Sequence, residues 1–270
     1  MTTAIKAVIL DWAGTMIDHG SRAPVVALIR LFKQAGVPID EAEARADMGR
    51  AKRDHIRAIL AMPRVREAWR AAHGTDPQEA DVTHLHDAVG PIMREAARDC
   101  ATLIPGALDL VERLAAAGVP IGSCTGYTRE MMADILPLAA EQGYAPAVVV
   151  CSGETPVGRP SPLMLWKALV ELGVWPAWAC VKVDDATVGI GEGKAAGSWT
   201  VGVAASGNGV GLTYDELLAL PETEHRQRVD AASAALKAAG ADYVIDSVAG
   251  LWPVIEAIDA RIAAGERPPA

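Results

Sequence analysis

Short apolar runs, each closing in a polar residue or a glycine turn, recur along this chain at strand length. Ala7-Val8-Ile9-Leu10 is the first, ending in Asp11-Trp12-Ala13-Gly14-Thr15. A continuous apolar run of this length predicts a strand buried on both faces. Downstream the period changes. Val25, Leu28, Ile29 and Phe32 give a helical stripe after Pro24, which suits a first helical turn, and the stripe ends near Gly36-Val37-Pro38. Ile39-Asp40-Glu41-Ala42-Glu43 reads as a helix start, with its acids in the first turn. From there to about Cys100 the chain is helix-like and rich in Ala and Arg. Breaks are expected at Pro63, at Gly74 to Pro77, and at Gly90-Pro91. Alternation follows: a helix from Pro105-Gly106 to Gly118, then a strand over Val119 to Cys124 ending in Thr125-Gly126. A helix from about Met131 to Ala140 leads to a strand at Ala147 to Cys151, and a helix from Leu163 to Leu172 to one at Ala179 to Val183. The last strands are Trp199 to Val203 and Tyr243 to Asp246.

Strand, helix, strand in repetition predicts an α/β fold: a doubly wound, mostly parallel, Rossmann-like sheet. The first strand lies far upstream of the others. The roughly 80 helical residues between them are therefore expected to form an inserted helical cap domain, residues 21–99, on a core of residues 1–20 and 100–270.

Composition narrows the class. With 270 residues, 51% hydrophobic and 22% charged, the chain is globular in character. A net charge of −9 argues against nucleic acid as a partner, though a local basic pocket for one small anion is compatible with it. Four scattered cysteines without close pairing suggest reduced thiols rather than zinc or a disulfide framework. Six residues ahead of Ala7 leave no room for a signal peptide, and no apolar segment is long enough for a bilayer. A soluble cytoplasmic protein without a membrane partner is the expectation.

Four polar groups stand just past four of the expected strands: Asp11, Thr125, Arg159 and Asp185. In a parallel sheet such tips converge on one crevice. A carboxylate, a hydroxyl, a cation and a second carboxylate suit phosphoryl transfer through an aspartyl nucleophile. Asp11 and phosphate repel each other, so a metal and cations must neutralise the charge. Mg2+ prefers oxygen ligands, here Asp11, Asp185 and a backbone carbonyl. Thr125 and Arg159 would hold the remaining phosphoryl oxygens.

This order of motifs resembles the haloacid dehalogenase superfamily. Relatives that split phosphate esters carry a second aspartate two residues after the nucleophile, as the acid for the leaving group. Here that residue is Ala13. The cap segment Asp47-Met48-Gly49-Arg50-Ala51-Lys52-Arg53-Asp54-His55 puts Met48, Lys52 and His55 on one face if it is helical. Together with Asp-Trp-Ala-Gly-Thr, with Gly122 to Thr128, with Gly158-Arg159-Pro160 and with Trp199 to Val203, it resembles the phosphonoacetaldehyde hydrolase (phosphonatase) family.

The resemblance implies a Mg2+-dependent enzyme that splits a P–C bond in a small phosphonate. Lys52 would form a Schiff base with the substrate aldehyde and Asp11 an aspartyl phosphate. Ala13 would give its backbone carbonyl to the metal and leave room for Lys52. His55 would relay protons, and Met48, Gly49, Thr125, Gly126, Tyr127 and Arg159 would line the substrate site. A homodimer, formed through the cap, is implied as well. Ser21 stands where relatives often have cysteine. Many superfamily members have a further aspartate four residues after the one matching Asp185; here it is Gly189, so Asp184 or Glu192 would complete the carboxylate set.

Other features read as bland. Ser206 to Gly211 is expected to be a mobile loop before a helix start at Thr213, His84 and His86 to be surface residues, and the tail from Ile258 to be a frayed helix. The alternatives are a capped P–O phosphatase or phosphomutase and a non-catalytic phospho-acceptor regulator.

Overall fold

The computed structural model describes residues 3–269. Strand β1 (Ala7–Leu10) is followed by helices α1 (Arg22–Gln34), α2 (Glu41–Arg45), α3 (Lys52–Ala61), α4 (Pro63–His73) and α5 (Glu79–Cys100). After α6 (Ala107–Ala116) come β2 (Ile121–Thr125), α7 (Arg129–Met132), α8 (Ile135–Glu141), β3 (Val148–Cys151) and α9 (Leu163–Leu172). Then follow β4 (Cys180–Asp184), α10 (Thr187–Ala196), β5 (Trp199–Val203), α11 (Tyr214–Leu218), α12 (Glu222–Ala238), β6 (Tyr243–Ile245) and α13 (Leu251–Ala263).

The six strands form one sheet in the order β3-β2-β1-β4-β5-β6, and every neighbouring pair is parallel. This is the doubly wound order in which connections turn opposite ways from the central strand, opening a crevice at the carboxyl ends of the strands there. All four residues of β1 are fully buried, as its unbroken apolar run requires.

Only helices occupy the stretch between Arg22 and Cys100, and they begin and end where local chemistry predicts. Asp40 caps α2 in a reciprocal capping box with Glu43. Pro63 takes the first turn of α4, and Gly74 closes that helix at φ +81°. The Gly90-Pro91 break does not occur: α5 runs through it. Val82, Leu85, Val89, Met93, Ala96 and Ala97 keep one apolar stripe on both sides of Pro91, and burying that stripe outweighs the lost backbone hydrogen bond. The expected helix from Met131 to Ala140 is two, α7 and α8. The tail is not frayed, because Ile258 and Ile262 are buried and Asp259 accepts hydrogen bonds from the Ala4 and Ile5 amides.

Candidate active site

β1 delivers Asp11 to the crevice, and β4 delivers Asp184 and Asp185 beside it. One oxygen of each carboxylate lies within 4.8 Å of the others, and all three residues are buried. Gly14 makes this approach possible. Its φ is +79°, and a Cβ there would stand 2.2 Å from Asp185 Oδ2. Burial and then the Asp184 charge push the Asp11 carboxyl up to about 6, against the pull of Arg159 and Lys182. Burial, then Asp11 and Asp184, hold Asp185 well above the usual carboxylate range. Three crowded carboxylates with hard oxygen donors fit a divalent cation, which would relieve this repulsion.

Cations close the other side. Arg159 Nη1 lies 2.9 Å from Asp11, its Nε 3.0 Å from Glu192, and its Nη2 3.4 Å from Asp184; Nη2 also donates to the Cys124 carbonyl. Lys182, fully buried in β4, sits 3.0 Å from Asp184 and 3.2 Å from Glu192. Such a set is stable only because each charge meets an opposite one. Of the two acids left open by the sequence, Asp184 joins the carboxylate cluster and Glu192 holds the cations. The role of Lys182 was not read from the sequence. A lysine inside an otherwise apolar strand was the available signal, since unpaired lysines are almost never fully buried.

The helical insert adds the opposite wall of a narrow cleft. Asp11, Ala13, Thr125, Gly126, Tyr127, Arg159 and Asp185 line it from the sheet side, and Met48, Gly49, Arg50 and Lys52 from the insert. The backbones meet closely: a Cβ on Gly126 would stand 2.9 Å from the Arg50 carbonyl oxygen and 3.0 Å from that of Gly49. Thr125 Oγ1 accepts a hydrogen bond from the Tyr127 amide. Lys52 is 2% exposed, and its ammonium lies 5.4 Å from the Tyr127 ring centroid. Burial lowers its pKa to about 8, with Asp11 opposing.

Three details differ from the sequence reading. Met48 is not on the helix with Lys52 and His55; α3 starts at Lys52, and Met48 comes from the preceding turn, where Asp47 (φ +57°) and Gly49 (φ +90°) are left-handed. His55 is fully buried one turn beyond Lys52 but does not line the cleft, and burial and the Lys52 charge lower its pKa to about 3, so it is neutral. The 206–211 loop is no bland connector: the Asn208 amide donates to Asp185 Oδ2, and Ser206 Oγ to the Gly14 carbonyl. Ser21 lines the cleft at φ +49°, while the neighbouring Asp18 carboxylate accepts the Arg22 and Ala23 amides that start α1.

The sequence of residues 5–197 matches the family model of haloacid dehalogenase-like hydrolases. The phosphonoacetaldehyde hydrolase of Paraburkholderia phytofirmans is 51% identical over 264 residues, which cover 98% of this chain and 99% of the relative. The chain belongs to the phosphonoacetaldehyde hydrolase family. A solved structure, described as a phosphonoacetaldehyde hydrolase-like protein from Oleispira antarctica, superposes with a TM-score of 0.97 at 44% identity, covering 99% of this chain and 97% of that one. A β-phosphoglucomutase from Clostridium difficile shares the fold alone, with a TM-score of 0.68 and 16% identity over 96% of this chain and 99% of its own. Within this hydrolase family, the cleft between the carboxylates of β1 and β4 and the lysine of α3 is the candidate active site.

Proposed function

We propose that this hydrolase cleaves the P–C bond of phosphonoacetaldehyde, giving acetaldehyde and phosphate. The observation that carries the reading is the buried Lys52 amine facing the Asp11 cleft, with Ala13 where ester-splitting relatives carry an acid. Direct P–C cleavage expels a carbanion, a very poor leaving group. Lys52 attacks the aldehyde as the neutral amine, a fraction of which its lowered pKa of about 8 supplies near neutral pH; the carbinolamine then takes up a proton and loses water to give an iminium. Asp11 Oδ then attacks phosphorus. The P–C electron pair moves into the iminium, leaving an enamine. Water hydrolyses the aspartyl phosphate; protonation of the enamine carbon and imine hydrolysis release acetaldehyde and restore Lys52.

Arg159 and Thr125 hold phosphoryl oxygens, and Gly126, Tyr127, Met48 and Gly49 shape the pocket around the short carbon chain. Asp11, Asp185 and the Ala13 carbonyl would hold Mg2+, whose bound charge lets an anionic nucleophile approach an anionic phosphonate. His55 supports Lys52 as a neutral neighbour that can exchange a proton when the cleft opens. Residues 21–99 act as the cap domain over a core of 1–20 and 100–270. A cytoplasmic setting fits four free thiols, and no described helix is long and apolar enough to cross a membrane. A homodimer formed through the cap completes the reading, as the resemblance to the family implies.

Borohydride reduction with phosphonoacetaldehyde present should trap the two-carbon unit on Lys52, read by mass spectrometry of the peptides. Lys52→Arg should abolish phosphate release while the protein keeps its melting temperature. Turnover by that variant, or trapping at another lysine, overturns the Schiff-base reading.

A further inference from the structure

We propose that Arg50 is the recruiting cation of the cleft: its guanidinium takes the phosphonate group of an incoming substrate from solvent and passes it inward to Arg159 and Thr125. The inference rests on the proposed function. Three cations line the cleft, Arg50, Lys52 and Arg159. Two of them cannot meet an anion outside it. The Arg159 side chain is 2% exposed and already engages Asp11, Asp184, Glu192 and the Cys124 carbonyl. Lys52 is buried and has to act as a neutral amine. The Arg50 side chain is 43% exposed, so among the described residues it alone brings a positive charge from the cleft to solvent.

The surrounding field gives such a cation work to do. The chain carries a net charge of −9, and Asp11 and Asp185 line the same cleft, so a phosphonate dianion approaches against repulsion. Arg50 is fixed where the anion must pass. Its carbonyl oxygen lies against Gly126, and its amide donates to the Asp47 carbonyl across the turn. Its Nε lies 3.0 Å from Asp47 Oδ1; among the described residues no other carboxylate pairs with it, and no hydrogen bond engages its terminal nitrogens. An exposed ion pair of this spacing contributes little. A dianion can therefore displace Asp47 at small loss and gain the planar, bidentate fork. The charge is also felt inside: after burial and Lys52, Arg50 further lowers the His55 pKa.

The test compares Arg50→Gln and Arg50→Lys with wild type, each as the full chain supplied with Mg2+. Arg50→Gln should raise KM for phosphonoacetaldehyde about 10-fold or more, the lower end of electrostatic steering, and leave kcat in place. Its kcat/KM should shift toward a rise with ionic strength, because only the repulsion is left to be screened. Arg50→Lys keeps the charge and should recover most of the loss. Borohydride trapping on Lys52 with phosphonoacetaldehyde below its KM should fall in Arg50→Gln, whereas acetaldehyde, which lacks the phosphonate, should be trapped as in wild type. Inorganic phosphate, titrated by calorimetry, should bind Arg50→Gln roughly 10-fold more weakly, the loss of one charge-assisted contact. A lower kcat with KM unchanged, wild-type salt dependence, Arg50→Lys no better than Arg50→Gln, or acetaldehyde trapping reduced as much as that of the phosphonate overturns the inference. If wild type releases no phosphate from phosphonoacetaldehyde, the proposed function fails separately, and the phosphate titration alone decides the role of Arg50.

Discussion

At the scale of single residues, Ala13 and Lys52 explain each other. An acid at 13 would stand beside Asp11 in the cleft that Lys52 enters, and its charge would raise the lysine pKa and keep the amine protonated. Ala13→Asp should therefore reduce phosphate release from phosphonoacetaldehyde on the order of 100-fold or more, the scale set by losing one proton-transfer group, with weaker borohydride trapping. Unchanged trapping would separate the two residues. The same lysine makes stability depend on pH. Its folded pKa of about 8 lies below the ordinary 10.5, so the unfolded chain binds the proton more readily between those values. This contribution is most unfavourable below pH 8 and disappears as pH rises through the window. Lys52→Met should thus be more stable than wild type at pH 7.5 by about 2 kcal/mol and gain little at pH 10.5, read by denaturant unfolding. A less stable Lys52→Met at pH 7.5 would contradict the burial cost.

At the scale of elements, α5 shows packing overruling a local stop signal. Pro91 removes one backbone donor and crowds the preceding turn, yet the stripe from Val82 to Ala97 keeps the helix continuous. Because Pro91 is exposed, replacing it with alanine restores the hydrogen bond without disturbing the stripe. Pro91→Ala should stabilise the protein by about 1–3 kcal/mol, seen as a rise in melting temperature. A fall would mean that the proline sets a bend on which the packing of α5 depends.

Across the whole molecule, the insert and the sheet are joined by a few polar straps. Arg45 of α2 donates to the Gly20 carbonyl, the Gly211 carbonyl and the Asn208 side chain, while the Asn208 amide holds Asp185. One insert residue is thus two bonds from the carboxylate cluster, and its guanidinium is only partly reached by solvent. Removing it leaves the Gly20 carbonyl and the Asn208 side chain without their charged donor, while the Gly211 carbonyl keeps Arg22, a cost of about 1–3 kcal/mol. Arg45→Ala should also speed amide exchange in residues 206–211 and lower kcat/KM with Lys52 trapping still detectable. Unchanged exchange in that loop would show that the strap does not hold it.

The succession of strands and helices along the chain, the helical insert, and the candidates Asp11, Thr125, Arg159, Asp185 and Lys52 were legible in the sequence. Each depends on a local rule: an apolar run ending in a polar tip, a helical period, or a motif at fixed spacing. What the sequence could not decide depends on distant segments meeting. Lys182 is tolerable in a buried strand only because Glu192 and Asp184 surround it, and the 206–211 loop matters only because it folds back onto Asp185. The turn that carries Met48 is set by left-handed Asp47 and Gly49, with Gly49 close against Ala186 and Val188 at the start of α10, and Pro91 stays helical because a core is there to bury its neighbours. Local pattern determined which chemistry this chain carries. Tertiary packing, which sets burial and brings charges together across the chain, decided how that chemistry is held.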